Sequence, residues 1–341
     1  MRGQILNDTP IIFCLEENLP PTALVQDTAF KISPMAGKGE GMLATRKIMH
    51  GDVIVVEYPI VSIPVMSFLP PDIREDMFRM LFDRVEEPER TELYNLSNCK
   101  PPEMCGREEG IARTNGVGIE LHVPPGSPEA NEMASGVFLK ISKCNHSCSP
   151  NANYDWDLRT FTLSLYATRV INPGEEITIS YIPSLTQCRA DRRAELQKAY
   201  SFQCECPACD LPAPADVAAS DRRRLLLDEW ERRNPLAYFA TAYRNLSRRE
   251  DLIAEYKRAV EIHEKEGLEG HIHYVMVQEF IATLYARVAD AKNFNWWMQR
   301  TVAHCFALHL KGKLVEALQA LCDPHSLWYW GVDNVARGAR R

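Results

Sequence analysis

Three thiols within six residues, Cys204-Glu205-Cys206-Pro207-Ala208-Cys209, constrain this chain more than any other feature. Cysteines at that density either pack as buried free thiols, form a redox cluster, or wrap one ion. Tetrahedral zinc wants four sulfur or nitrogen ligands, and three close thiols before a polar stretch suit it best. Eleven cysteines is an odd number and most of the others stand alone, which argues for metal over a disulfide framework. One ligand is missing locally. Cys148 is the best placed to supply it, because a loop returning over the segment around it would join two distant stretches of chain through one ion.

On either side of that cluster the hydrophobic period differs. From Lys31 to about Ile63 the chain is rich in Val and Ile and broken by turns at AGKGEG and HGD, which predicts short strands. PPDIREDMFRMLFDRVEEPERTELYNLS then places Ile73, Met77, Met80 and Leu81 at helical spacing, a helical insertion over about 68–98. After Gly110 the strand pattern returns in RTNGVGIEL, a Pro/Gly loop over 124–128, and GVFLKIS. Two further strands follow: Phe161, Leu163 and Leu165 alternate with polar residues, as do Ile177, Ile179 and Tyr181. LPAPADVAAS reads as a linker with a boundary near residue 215. Beyond it DRRRLLLDEWERR, PLAYFATAYRNL, REDLIAEYKRAVEIHEKEG, HIHYVMVQEFIATLYARVADAKN and WWMQRTVAHCFALHLKGK are helical in period. They suit stacked hairpins of the tetratricopeptide kind, although no signature repeats at a fixed interval.

A chain of 341 residues favours two domains. Val53 to Met66, the longest apolar stretch, contains Glu57, Pro59 and Pro64, so it cannot supply the ~20 apolar residues of a membrane span. The start of the chain lacks a secretory pattern, which predicts a nuclear or cytoplasmic protein. A net charge of -7 offers no footprint for direct nucleic-acid binding, and RGARR is the only basic tail.

A second dense polar segment, Lys143-Cys144-Asn145-His146-Ser147-Cys148-Ser149-Pro150-Asn151, follows the apolar run GVFLKIS. Taken alone it reads as turn residues or as a site. Gly37, Gly39 and Gly41 permit either a plain surface turn or close approach of main-chain amides to a ligand. Tyr181, taken alone, is an aromatic of a strand core.

The conjunction is more specific. NHSCSPN at 145–151 followed by GEEITISYI at 174–182 resembles the paired C-terminal signature of SET-domain lysine methyltransferases. AGKGEGMLATRKIMHGDVIVVEYP at 36–59 resembles the opening segment of that family, and RRAELQKAYSFQCECPAC its post-SET zinc module. The latter is most similar to the SMYD-type subfamily, which carries a MYND finger and a C-terminal helical domain. Here the MYND finger is lacking. After Ile63 the chain passes into helices, and Cys99 and Cys105 alone cannot build a double-zinc module. Cys144 stands where the family has an apolar residue.

The resemblance implies an α+β fold. A SET domain over 31–183, after an N-terminal extension at 1–30, would precede a post-SET zinc module at 184–212 and an all-α domain at 213–341. In that family small curved sheets surround a pseudoknot where the NHSC segment meets the tyrosine-bearing strand. Lys38, Gly39 and Glu40 would contact the methionine end of S-adenosylmethionine, with Asn115 and Ser142 nearby. Asn145 and His146 would hold the methionine and adenine portions, and Phe202 would cover the adenine. Tyr181 would be both catalytic and cofactor-binding, and Cys148, Cys204, Cys206 and Cys209 would bind zinc. The partner implied is a protein presenting a lysine. A catalytically inactive module that binds cofactor or peptide is the alternative, because fold alone does not establish turnover. Trp296 and Trp297 read as helix packing, and His263, His271 and His273 show no metal-ligand spacing.

Overall fold

The glycine-rich opening folds into a hairpin. Strand β1 (Phe30–Met35) pairs antiparallel with β2 (Gly39–Ala44), with Met35 opposite Gly39 across the turn. Gly39 adopts φ +75°, a conformation that glycine takes without the steric cost of a Cβ. The computed structural model describes residues 29–64, 69–122, 131–232, 249–327 and 329–334. Outside them lie nearly all of the expected N-terminal extension, the 124–128 loop, the helix expected across PLAYFATAYRNL and the RGARR end.

Three small sheets follow from β3 (Val53–Glu57), β4 (Val61–Pro64), β5 (Val117–His122), β6 (Asn131–Val137), β7 (Asn145–His146), β8 (Ala152–Asp157), β9 (Thr162–Ala167) and β10 (Glu176–Ile179). Their strand orders are β1-β2-β10-β7, β3-β9-β8 and β4-β6-β5. Leu163 and Leu165 of β9 are fully buried among Met42, Ile54, Phe138 and Ile177, so the alternation predicted there does face a core. Strand β8, not anticipated from the sequence, pairs Ala152–Asp157 with β9. Its polar residues are only half-buried, which hides the alternation.

Between β4 and β5 lie α1 (Pro71–Asp83), α2 (Glu89–Tyr94) and α3 (Arg107–Asn115). Met77, Phe78, Leu81 and Phe82 pack on Leu93, Ile111 and Val137. The insertion therefore extends past residue 98, and RTNGVGIEL is helix up to Asn115 before becoming strand at Val117. Arg74 fixes α3 by donating to the buried Glu109 carboxylate at 2.9 Å, a contact 35 residues apart. GVFLKIS also splits: β6 ends at Val137 and Ile141–Lys143 form a 3-10 turn. The Glu57 carboxylate accepts the amides of Lys140 and Ile141 at 2.9 and 2.7 Å, so a distant side chain ends the strand.

Helix α4 (Arg189–Tyr200) leads into the cysteine cluster. Then come α5 (Pro214–Arg232), α6 (Arg249–Glu266), α7 (Ile272–Ala286), α8 (Ala291–Ala307) and α9 (Lys311–Cys322), each of the last four packing against the one before it in this described order. The stretch predicted as linker is largely the start of α5, where Pro214 and Asp216 suit a helix N-terminus. WWMQRTVAHCFALHLKGK is two helices, not one. His309 turns the chain at φ +56°, and Leu308 packs against Tyr166 and Val275. The architecture is α+β, β-rich first and, among the described residues after 213, without a strand. No described helix is long and apolar enough to cross a membrane.

One fully buried side chain ties the two regions together. Arg224 of α5 donates to the Glu266 carboxylate at 2.8 Å, to the carbonyls of Cys148 and Leu185 at 3.0 and 2.6 Å, and to Ser149 Oγ at 3.0 Å. With the charge paired and these carbonyls satisfied, its burial is tolerated.

Candidate active site

The four predicted metal ligands converge. Cys148, Cys204, Cys206 and Cys209 are all buried, and their sulfurs lie within 4.8 Å of one another. Cys148 Sγ and Cys209 Sγ are 3.6 Å apart. Zinc bonded to four sulfurs at ~2.3 Å would space them about 3.8 Å apart, so the donor set and its spacing fit a tetrahedral zinc ion. The Cys148 amide donates to Cys206 Sγ at 3.3 Å, and Arg192, itself fully buried, approaches Cys209 Sγ at 3.8 Å. Hydrogen bonding from Cys148 and its neighbours pushes the Cys206 thiol far down while Cys148 is pushed up. Four thiols this close cannot all ionise unless a cation neutralises them.

Beside the cluster the chain meets itself. Strand β7 pairs in parallel with β10, matching Asn145 with Thr178 and His146 with Ile179. Asn151 locks the crossing: its Oδ1 accepts the Thr178 amide and its Nδ2 donates to the Glu176 carbonyl, both at 2.8 Å. The pairing aims Tyr181 across the first segment, so its hydroxyl donates to the Cys144 carbonyl at 2.6 Å. The Tyr181 amide donates to His146 Nδ1 at 3.0 Å. Nδ1 is therefore bare, and the neutral ring carries its proton on Nε2, 3.3 Å from Cys148 Sγ. Burial lowers His146 to about 4, which keeps it neutral, and raises Tyr181 above its ordinary value.

These groups border a cavity of about 460 Å³, within the range of small-molecule sites. Lys38, Glu40, Asn115, Ser142, Asn145, His146, Tyr181 and Phe202 all line it. Gly39 does not, although both its chain neighbours do; its contribution is the turn that presents them. On one wall Lys38 pairs with Glu176 at 2.9 Å, and Asn145 donates to Glu176 Oε1 at 2.8 Å and to the Glu40 carbonyl at 3.0 Å. Lys143 pairs with the Glu40 carboxylate. Gly41 permits this packing, since a Cβ there would lie 2.5 Å from Met35 Cγ and 2.9 Å from Asn145 Nδ2. On the opposite wall the Asn115 amide donates to the carbonyls of Ser97 and Ile111, and Ser142 Oγ donates to the Asn115 carbonyl.

The Phe202 ring stands 6.3 Å from the His146 ring, and the Tyr200 ring packs 4.9 Å from that of Tyr181, tilted by 42°. Tyr200, Glu176, Tyr154 and Cys99 are cavity or wall residues that the sequence does not single out. Tyr200 and Phe202 flank Ser201, which ends α4 at φ +60°, and the two aromatics before CxCxxC are the one signal that marks them. Cys144, buried with its sulfur 3.7 Å from Met42 Sδ, packs as the apolar residue it replaces would.

Residues 39–182 match the SET domain family model. Over 203 residues the chain is 30% identical to histone-lysine N-methyltransferase set5 of Schizosaccharomyces pombe, covering 60% of this chain and 57% of that protein. It is 43% identical over 81 residues to protein-lysine N-trimethyltransferase SMYD5 of Mus musculus, which is 23% of this chain and 20% of that one. A SET and MYND domain-containing protein of Dictyostelium discoideum is 38% identical over 101 residues, 29% of each chain. The chain thus spans from a fifth to somewhat more than half the length of these relatives.

Proposed function

We propose that this chain, which carries a SET domain over residues 39–182, is an S-adenosylmethionine-dependent protein lysine N-methyltransferase. The observation that carries the reading is the Tyr181 hydroxyl, held on the Cys144 carbonyl at the wall of the cavity between the 145–151 segment and the cysteine flap. When bound, S-adenosylmethionine supplies an electrophilic methyl group on a sulfonium sulfur. Lys38, Glu40 and Asn145 would hold its amino-acid end, with Gly39 shaping the turn, Asn115 and Ser142 nearby, and His146 and Phe202 at its adenine end.

That methyl would pass to a neutral lysine amine of the substrate protein, the new N–C bond replacing the C–S bond, whose electron pair would stay with sulfur. The surplus proton leaves the product ammonium for water. With its proton committed to Cys144, the Tyr181 oxygen has only acceptor capacity left, which suits an amine N–H and would orient that amine. Burial keeps the phenol neutral, so it orients and does not act as a base. Cys148, Cys204, Cys206 and Cys209 would hold a structural zinc that clamps the flap carrying Phe202. Four reduced thiols require a reducing compartment, and we place the protein in the nucleus or cytoplasm. The limits 31–183, 184–212 and 213–341 are the domain division adopted with this reading.

Calorimetric titration of the zinc-replete full chain with S-adenosylmethionine tests the proposal, paired with methyl transfer to a panel of lysine-bearing proteins, histones included. Saturable one-to-one binding, weakened in His146→Ala, with transfer to at least one protein, is expected. Binding without transfer to any of them would support the cofactor-binding module, and absence of binding would overturn both.

A further inference from the structure

The histidines that looked unrelated in sequence come together in the helical region. Glu231 at the end of α5, His263 of α6 and His273 of α7 each bring a ligand atom within 4.8 Å of the others, and both histidines are buried. In these same residues His263 Nε2, His273 Nδ1 and Glu231 Oε1 are buried with no hydrogen-bond partner among the described residues. Three orphan polar atoms on neighbouring side chains are costly to bury unless something binds them.

The surroundings are those of a ligand set. His263 Nδ1 lies 2.7 Å from the Ala259 carbonyl, which fixes the proton on Nδ1 and leaves the Nε2 lone pair free. Thr186 Oγ1 orients the other Glu231 oxygen at 3.4 Å. His271 Nδ1 lies 3.5 Å from Glu231 Oε1 and accepts the His273 amide, Asp228 acts on Glu231 through its charge, and the Tyr274 ring is 5.6 Å from His263.

We propose that Glu231, His263 and His273 form a second metal site, separate from the four-cysteine cluster, that takes a divalent first-row transition ion such as zinc. Two imidazoles and one carboxylate are a ligand set for such ions. Occupied tetrahedral sites hold N and O ligands about 3.3 Å apart, so small side-chain rotations would close the set. The ion would join the ends of three helices and, through Thr186, the stretch leading to the cysteine flap. The site does not depend on the methyltransferase reading.

Zinc per chain, measured on the purified full-length protein after equilibration with zinc and removal of the free ion, tests it. Wild type should hold two ions, while Glu231→Gln and His263→Gln should each hold one. Glu231→Gln preserves shape and remains readable if His263→Gln fails to fold. Cobalt loading identifies which site each ion fills. The second equivalent should add weak ligand-field bands without sulfur-to-metal charge transfer, and those bands should vanish in Glu231→Gln. One ion per chain in wild type, or equal metal content in wild type and Glu231→Gln, overturns the proposal.

Discussion

Arg224 of the helical region donates at 3.0 Å to the backbone carbonyl of Cys148, one of the four clustered thiols. A residue 76 positions away thus holds the segment that also carries Asn145 and His146. Removing the guanidinium would leave the carbonyls of Cys148 and Leu185 without it in a buried space and would leave Glu266 with only Arg223 and Ser220 of its present side-chain partners. Arg224→Ala should cost about 3–5 kcal/mol in urea unfolding. Lysine, lacking the planar fork, should recover only part of that.

Tyr181→Phe deletes a single oxygen from a packed wall. Methyl transfer should fall by about 10²-fold or more while cofactor affinity stays within a few-fold, because the hydroxyl acts on the amine. Single-turnover rates beside calorimetry separate the two effects. Equal losses in both would make Tyr181 a cofactor ligand only.

Zinc removal should loosen the flap. Phe202 lies two residues before Cys204, and without the ion the 202–209 segment loses its cross-link. Chelation should speed hydrogen exchange in that segment and weaken S-adenosylmethionine binding at least tenfold. Unchanged affinity after complete removal would disconnect the cluster from the cavity.

The contact between the sheets and the helices should register pH. His50 is held at about 4, against an ordinary 6.5, by burial and by His304, whose ring is 5.2 Å away. Between pH 6.5 and 4 the unfolded chain takes up a proton that the folded chain refuses. The stabilisation is therefore complete above 6.5 and lost as pH falls through 4. Allowing for the partial exposure of His50, the effect is about 1 kcal/mol. His50→Gln should flatten the melting temperature against pH across that window.

Gly41→Ala tests the close approach at the Asn145 wall. The methyl group would meet Met35 Cγ and Asn145 Nδ2 inside contact distance. A loss of about 1–3 kcal/mol is expected, with weakened cofactor binding. An unaltered variant would show that the wall can shift.

The parts legible in sequence were those with local chemistry. CxCxxC asks for a fourth sulfur, and the fold brings Cys148 to the other three; ISYI beside NHSCSPN marks Tyr181, which the fold sets against Cys144. Glu176 was invisible because a carboxylate after Pro-Gly reads as a turn, and its role comes from Lys38 and Asn145, distant in the chain. The break after Val137 is imposed by Glu57, 84 residues before Ile141. The Glu231, His263 and His273 cluster needs three helices in register before it exists. Periodicity reports which face of an element is apolar, not which other element it will meet.

The parallel pairing of β7 with β10, closed by the flap, also sets a timetable for synthesis. Walls from Lys38, Asn115 and Asn145 leave the ribosome long before Phe202 and Cys209. A nascent chain stalled before Cys209 therefore has most of its lining but no lid, and S-adenosylmethionine added then should not protect it from protease. The cavity can be closed only late in translation, after the sheets beneath it have had time to form.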